Sequence, residues 1–177
     1  TEAKIEELQK RIGQVKETHG PPPKRRKKAW YEKFRWFHSS DGSLVIGGRD
    51  ATTNEILIKK HMEPHDIVFH ADILGAPFVL IKTRGETPPE RTIREAAQLA
   101  ASYSRAWREM LSAVNVYWVT PEQVSKSPPP GQYLKKGAFM IHGSKNYVRG
   151  VPLRVAVGIK TKEEQVMIVG GPVEAIA

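Results

Sequence analysis

Pro64–Lys82 reads PHDIVFHADILGAPFVLIK, and the fold assignment starts from this stretch. It holds two short apolar runs, Ile67–Phe69 and Phe78–Ile81. Runs this short, rich in β-branched and aromatic residues and bounded by Pro and Gly, predict buried strands rather than helices. An extended backbone over 67–72 puts Val68, His70 and Asp72 on one face and Ile67, Phe69 and Ala71 on the other. An imidazole and a carboxylate then project together where the strand leaves the core. Gly75 beside them lets another part of the chain come close. Asp66 is expected to tie the start of the strand.

The chain has 177 residues, enough for one domain with a real core and an appendage. No apolar run approaches the roughly 18 residues a membrane span needs, and no secretory core opens the sequence. The first residue is Thr1, which leads to the expectation of a piece of a longer protein. The absence of cysteine excludes disulfides and thiolate metal sites and fits a reducing cytosol. A formal charge of +9 and a pI of about 9.8 favour polyanionic partners, nucleic acid ahead of anionic membrane. Solubility alone is the plainer explanation.

Towards the N-terminus, Ile5, Leu8, Ile12 and Val15 repeat at 3, 4, 3, the seam of a heptad pattern. Two heptads do not hold alone, so residues 1–18 are expected to be the end of a coiled-coil arm. Residues 19–28 form a Pro-rich, basic linker closing on Lys24, Arg25, Arg26, Lys27 and Lys28. Residues 24–35 carry seven Lys/Arg and one Glu, +6 of the total +9. Cations interleaved with aromatics can neutralise phosphates and stack on bases. Trp30, Phe34 and Phe37, at helical spacing, are expected in the core. Arg35–Ser40 and Leu44–Gly48 flank Asp41-Gly42, a hairpin signal. Gly47-Gly48-Arg49-Asp50 can aim backbone N–H groups and a guanidinium at one anion. A helix over Thr52–Met62 follows, with Thr52 or Thr53 as its cap and Pro64 beyond its end. His61 and His65 have metal-pair spacing, but no third ligand completes a site.

Towards the C-terminus, Thr87-Pro88-Pro89-Glu90 reads as a capping box with Pro in the first turn. The helix it opens is predicted to run to about Leu111. Its apolar face is small enough at Ala96, Ala97, Ala100 and Ser104 to lie close to a sheet. Arg91, Arg94, Arg105 and Arg108 fall on its far side, as a solvated face or a phosphate-tracking ridge. Asn115–Thr120 is a predicted strand. From Gly131 the chain reads as all-β: Phe139–His142 and Asn146–Val148 flank a Gly-Ser-Lys turn, Leu153–Ile159 alternates, and Gln165–Val169 follows a charged turn. Lys135, Lys136, Lys145 and Arg149 are placed to line one rim.

WYEKFRWFHSSDGSLVIGGRDATTNE, DIVFHADILGAPFVLIK, the Ala-rich helix, VYWVTPEQVSK and GAFMIHGSKNYV, in this order, resemble the NFACT-R domain of the NFACT proteins, the family of RqcH and NEMF. The resemblance covers about residues 28–172, and the sequence has an archaeal cast. It rests on Trp36, Gly48, Arg49, Asp50 and Asn54; on Asp66, His70, Ala71, Asp72 and Gly75; and on Gly137. It implies a cytoplasmic RNA-binding module of a factor that binds tRNA and the large ribosomal subunit (rRNA) bearing a stalled nascent chain and supports C-terminal tailing. The coiled coil would join it to the remainder of the full-length protein. No cofactor, metal or membrane partner is implied. The family's residues for tailing lie in a different domain with no counterpart here.

The expected fold is α/β in the α+β sense: a mixed, largely antiparallel sheet with one long packed helix and a short second helix, behind a coiled-coil stump. Lys24–Lys28, Arg35, Trp36, Arg49, His70, Asp72 and Lys145 are the expected RNA contacts; Gly48, Asp66 and Gly75 are expected to be structural. Two alternatives stand beside this non-enzymatic reading. An RNA-processing enzyme would use His70 and Asp72 with Arg49 as anion clamp, although no nucleophile motif accompanies them. A protein-interaction module would fit the fibronectin-binding label that relatives have carried.

Overall fold

The computed structural model describes residues 4–7, 27–128, 130–131, 133–162 and 165–176. Residues 4–7 form one helical turn; the rest of the heptad seam and most of the linker, Lys24, Arg25 and Arg26 included, lie outside the described residues.

Among the described residues, six strands form one sheet: β1 (Arg35–His38), β2 (Leu44–Gly47), β3 (Ile67–Ala71), β4 (Val79–Lys82), β5 (Ala113–Val119) and β8 (Asn146–Pro152). Their spatial order is β1-β2-β4-β3-β5-β8, and every ladder found is antiparallel. β6 (Val124–Ser125) and β7 (Met140–Ile141) make a short ladder of their own. β9 (Ala156–Lys162) and β10 (Gln165–Gly171) make a separate hairpin. Asp41 and Gly42 turn β1 into β2, closed by Ser39 N to Ser43 O (2.9 Å) and Gly42 N to Ser39 O (2.8 Å).

β3 shows why the sheet has two buried faces. Phe69 and Ala71 are fully buried in the core beneath the long helix, while Val68 enters a second core on the opposite face. Helix α2 (Glu90–Ser102) covers the first face, touching β3, β4, β5 and β8. Ala96, Ala97, Ala100 and Ala101 are fully buried there and let the helix backbone approach the strands. Helix α1 (Ala51–Ile56), widening into a π turn over Leu57–His61, covers the other face through Leu57 and Ile58. Truncating a fully buried aromatic such as Phe69 to Ala would cost about 3–5 kcal/mol.

Several expectations are corrected. α2 stops at Ser102, well before Leu111: Ser104 Oγ donates to Ala101 O (2.7 Å) and accepts from Ala106 N (3.2 Å), opening a new 3-10 turn at Arg105–Trp107. The N-cap of α2 is Pro89 without a side-chain cap, so the capping box at Thr87 does not form and the prolines precede the first turn. α1 is capped by Asp50, whose Oδ1 accepts from Thr53 N (2.8 Å), rather than by Thr52 or Thr53. Phe34 and Phe37 are core, but Trp30 is 45% exposed; a 3-10 turn over Trp30–Lys33 gives way to β1, so helical spacing does not apply. β7 and β8 flank the Gly-Ser-Lys turn but pair with β6 and β5 respectively, not with each other. Residues 153–155 lie between strands, and a short helix α3 (Val173–Ile176) follows the final Pro.

Candidate nucleic-acid interface

The end of β3, the segment after β2 and the segment before β7 converge on a cleft of about 550 Å³. Its cations are Arg35, Arg49, Arg105, Lys135 and Lys136. Of the described residues lining it, Asp50 alone carries a carboxylate. The floor is apolar: Ala76, Pro77, Phe78 and Tyr117 are buried yet line it.

Carbonyls and rings hold the two inner arginines. Arg35 Nη1 donates to Gly48 O (2.6 Å), and its guanidinium lies 4.4 Å from the Tyr103 ring centroid. Arg49 Nη2 donates to Phe34 O (3.1 Å). Neutral acceptors fix these side chains while leaving the positive charge uncancelled. Burial pulls the Arg35 pKa below its ordinary value, and the nearby Arg49 charge adds to this; Tyr103 and Asp50 oppose it. Two like charges held side by side favour an incoming anion.

Close backbone packing shapes the walls. Gly75 has φ +78, and a Cβ there would sit 2.5 Å from Arg105 Nε; the bare glycine lets the Arg105 side chain lie across it. Gly48 N donates to Phe78 O (3.0 Å), and a Cβ on Gly48 would fall 1.9 Å from Asn54 Oδ1, which accepts from Phe78 N (3.2 Å). Opposite, Glu55 pins the lysine loop. Its Oε2 accepts from Gly137 N (2.8 Å) and Lys126 Nζ (2.9 Å), and Lys126 also donates to Ala138 O (2.8 Å) and Lys135 O (3.1 Å). Lys59 Nζ, 2.6 Å from Oε1, lowers the Glu55 pKa most; Gly137 N and Lys126 follow, and together they hold it at about 2.

His70 lines the cleft beneath Phe78, ring centroids 4.7 Å apart. Burial lowers its pKa, with backbone hydrogen bonds at Ala71 and Ala76 opposing, so the imidazole is neutral at pH 7. Its polar contacts serve the loop. Tyr117, raised to about 12 by burial and then by Asp72 and Tyr147, keeps its proton. Lys145 Nζ caps the Tyr117 ring at 4.2 Å, beside the cleft.

The structure thus brings Arg35, Gly48, Arg49, His70 and Gly75 together, with Lys145 adjacent. Trp36 is elsewhere: it lines a separate hollow with Tyr31, His38 and Lys160. Asp72 lines a third depression with Glu109 and Asn115. Lys27 and Lys28 are exposed. Asp66 lies at the far end of β3, buried, accepting from Lys82 Nζ (2.6 Å) and Glu63 N (2.8 Å). Tyr103, Arg105, Lys135, Lys136 and Phe139 also line the cleft; none is an expected RNA contact from the sequence, although the two lysines are placed on a rim. Arg105 is assigned instead to a helix ridge, and the early end of α2 is what turns it into the cleft. His61 stacks on Trp30 at 4.3 Å, and no cluster of three or more metal-ligating residues occurs among the described residues. No helix among them is long and apolar enough to cross a membrane.

The chain is similar to known proteins. The family model described as the NFACT protein RNA binding domain matches residues 33–143. The archaeal Rqc2 homolog aRqcH of Methanocaldococcus jannaschii is 49% identical over 148 residues, 84% of this chain and 22% of that protein. The ribosome quality control complex subunit NEMF homolog of Drosophila melanogaster is 47% identical over 146 residues, 82% of this chain and 15% of that protein. The chain therefore spans less than a quarter of the length of these relatives. The C-terminal part of a fibronectin/fibrinogen-binding protein from Streptococcus suis has the same fold, with a TM-score of 0.57 at 22% identity over 80% of this chain and 54% of that one. With its matched span covering both sides of the cleft, the chain belongs to the NFACT RNA-binding domain family.

Proposed function

We propose that the chain is a non-catalytic RNA-binding module of a cytoplasmic ribosome quality control factor. It helps to hold tRNA or ribosomal RNA on a large subunit that carries a stalled nascent chain, while the remainder of a longer protein, joined through residues 1–28, supports tailing. The observation that carries this reading is the cleft, where five cations meet one carboxylate. Relatives named as ribosome quality control subunits supply the setting. His70 is read as a structural imidazole, because its hydrogen bonds are to the backbone of Ala71 and Ala76 and its ring packs against Phe78.

The test is binding of labelled tRNA and of isolated large subunits across a salt series. A site neutralising several phosphates loses about tenfold or more in affinity between 50 and 200 mM salt. Absence of binding to either at low salt contradicts the reading.

A further inference from the structure

The cleft has more shape than phosphate binding requires. Arg49, Arg105, Lys135 and Lys136 are exposed at its rim, whereas Pro77, Phe78 and Tyr117 are buried in its floor. Its volume of about 550 Å³ falls in the range of small-molecule sites, about 300–1,000 Å³. A duplex presents phosphates outward and keeps its bases stacked inside, so it offers the rim its charge and the floor nothing. A flat, partly apolar ring attached to an anion satisfies both.

We propose that the cleft receives one unpaired nucleotide of an RNA strand, its base entering over the apolar floor and its phosphate meeting the rim cations. This deepens the RNA-binding reading above and rests on it. The Arg35 guanidinium, already stacked 4.4 Å from Tyr103, provides a planar surface of the kind on which splayed bases stack. The neutral His70 adds no charge to the floor. Both walls are set before the ligand arrives: Arg105 lies across Gly75, and the Glu55–Lys126 clamp holds the lysine loop. A nucleotide therefore meets a formed site, which limits the ordering cost of binding.

The experiment is fluorescence polarisation on the full 177-residue chain at 150 mM salt with three RNA probes of eight units. These are a single-stranded oligouridine, a ribose-phosphate strand of the same length lacking bases, and a blunt duplex. The base-bearing strand is expected to bind at least about tenfold tighter than the abasic strand. It is also expected to outcompete the duplex, although the duplex carries more phosphates. Ala138→Trp, which fills the cleft and leaves every charge in place, is expected to remove most of that preference; its melting curve checks the fold, and the comparison on the unaltered chain stands without it. If the abasic strand or the duplex binds as tightly as the base-bearing strand, the cations read phosphate alone and the inference fails while RNA binding stands. If none of the probes, and no tRNA, binds, both readings fail together.

Discussion

Arginines occupy two regions of this molecule on different terms. On the outer face of α2, Arg94 pairs with Glu90 at 2.9 Å, and Arg91 lies 3.4 Å from Glu95 and 3.9 Å from Glu174. In the cleft, Arg35 and Arg49 rest on carbonyl oxygens and a tyrosine ring. Arg105, Lys135 and Lys136 make no ion pair with a described residue. The helix arginines are paired with neighbouring carboxylates; the two inner cleft arginines are fixed in place with their charge still available. A basic surface is therefore better judged by what holds each cation than by how many there are.

The largest expected effect comes from a third case, a cation paired deep inside. Lys82 is 10% exposed and bonded to the buried Asp66. Asp66→Ala takes the buried carboxylate from that ammonium, which keeps Glu63 (3.0 Å) and the His61 carbonyl (2.8 Å), and frees Glu63 N, so a loss of about 2 kcal/mol in urea unfolding is expected. RNA affinity measured below the unfolding transition should stay within about twofold, because the pair lies outside the cleft. Next is Lys135→Ala with Lys136→Ala: each lost phosphate contact should lower the slope of log affinity against log salt by about one and weaken binding whatever the sequence.

Glu55 links the two kinds of cation. Its folded pKa of about 2 lies below its ordinary 4.5. The stability it contributes is therefore complete above about pH 4.5 and lost as pH falls through about 2. Glu55→Gln should flatten the fall in urea midpoint over that window and loosen the lysine loop, weakening RNA binding severalfold. The smallest effect belongs to Arg94→Ala. An exposed i,i+4 pair is worth about 0.3–0.5 kcal/mol, so stability should change by no more than that and RNA affinity hardly at all.

The parts of the fold with local causes were legible in the sequence. The apolar run Ile67–Phe69, the Asp41-Gly42 turn and the Ala-rich stretch after Pro89 each reflect neighbours a few residues apart, and a buried strand, a hairpin turn and a helix form there. The end of α2 was not legible, because apolar spacing continues through Trp107 and Leu111 and no Gly or Pro marks the stop; Ser104 and the positive φ of Met110 turn the chain instead. The pairing of β8 with β5 was hidden because the Gly-Ser-Lys turn suggests a local partner, whereas β5 lies 27 residues or more upstream. The cleft shares that difficulty. Arg49 and Gly75 sit in recognisable corners, but Arg105 and Lys135 join them only through the tertiary fold, and Gly75 gave the one local sign that something packs closely there.

We propose that the cleft cations, and not the basic excess as a whole, bind RNA. Two double variants that remove the same formal charge test it most directly: Arg49→Gln with Arg105→Gln, and Arg91→Gln with Arg94→Gln, each titrated with tRNA across 50–200 mM salt. The cleft pair is expected to lower the salt slope by about two and the affinity by about tenfold or more, with the helix pair close to the unaltered chain. Equal losses from both pairs, at unchanged melting temperatures, would contradict the account.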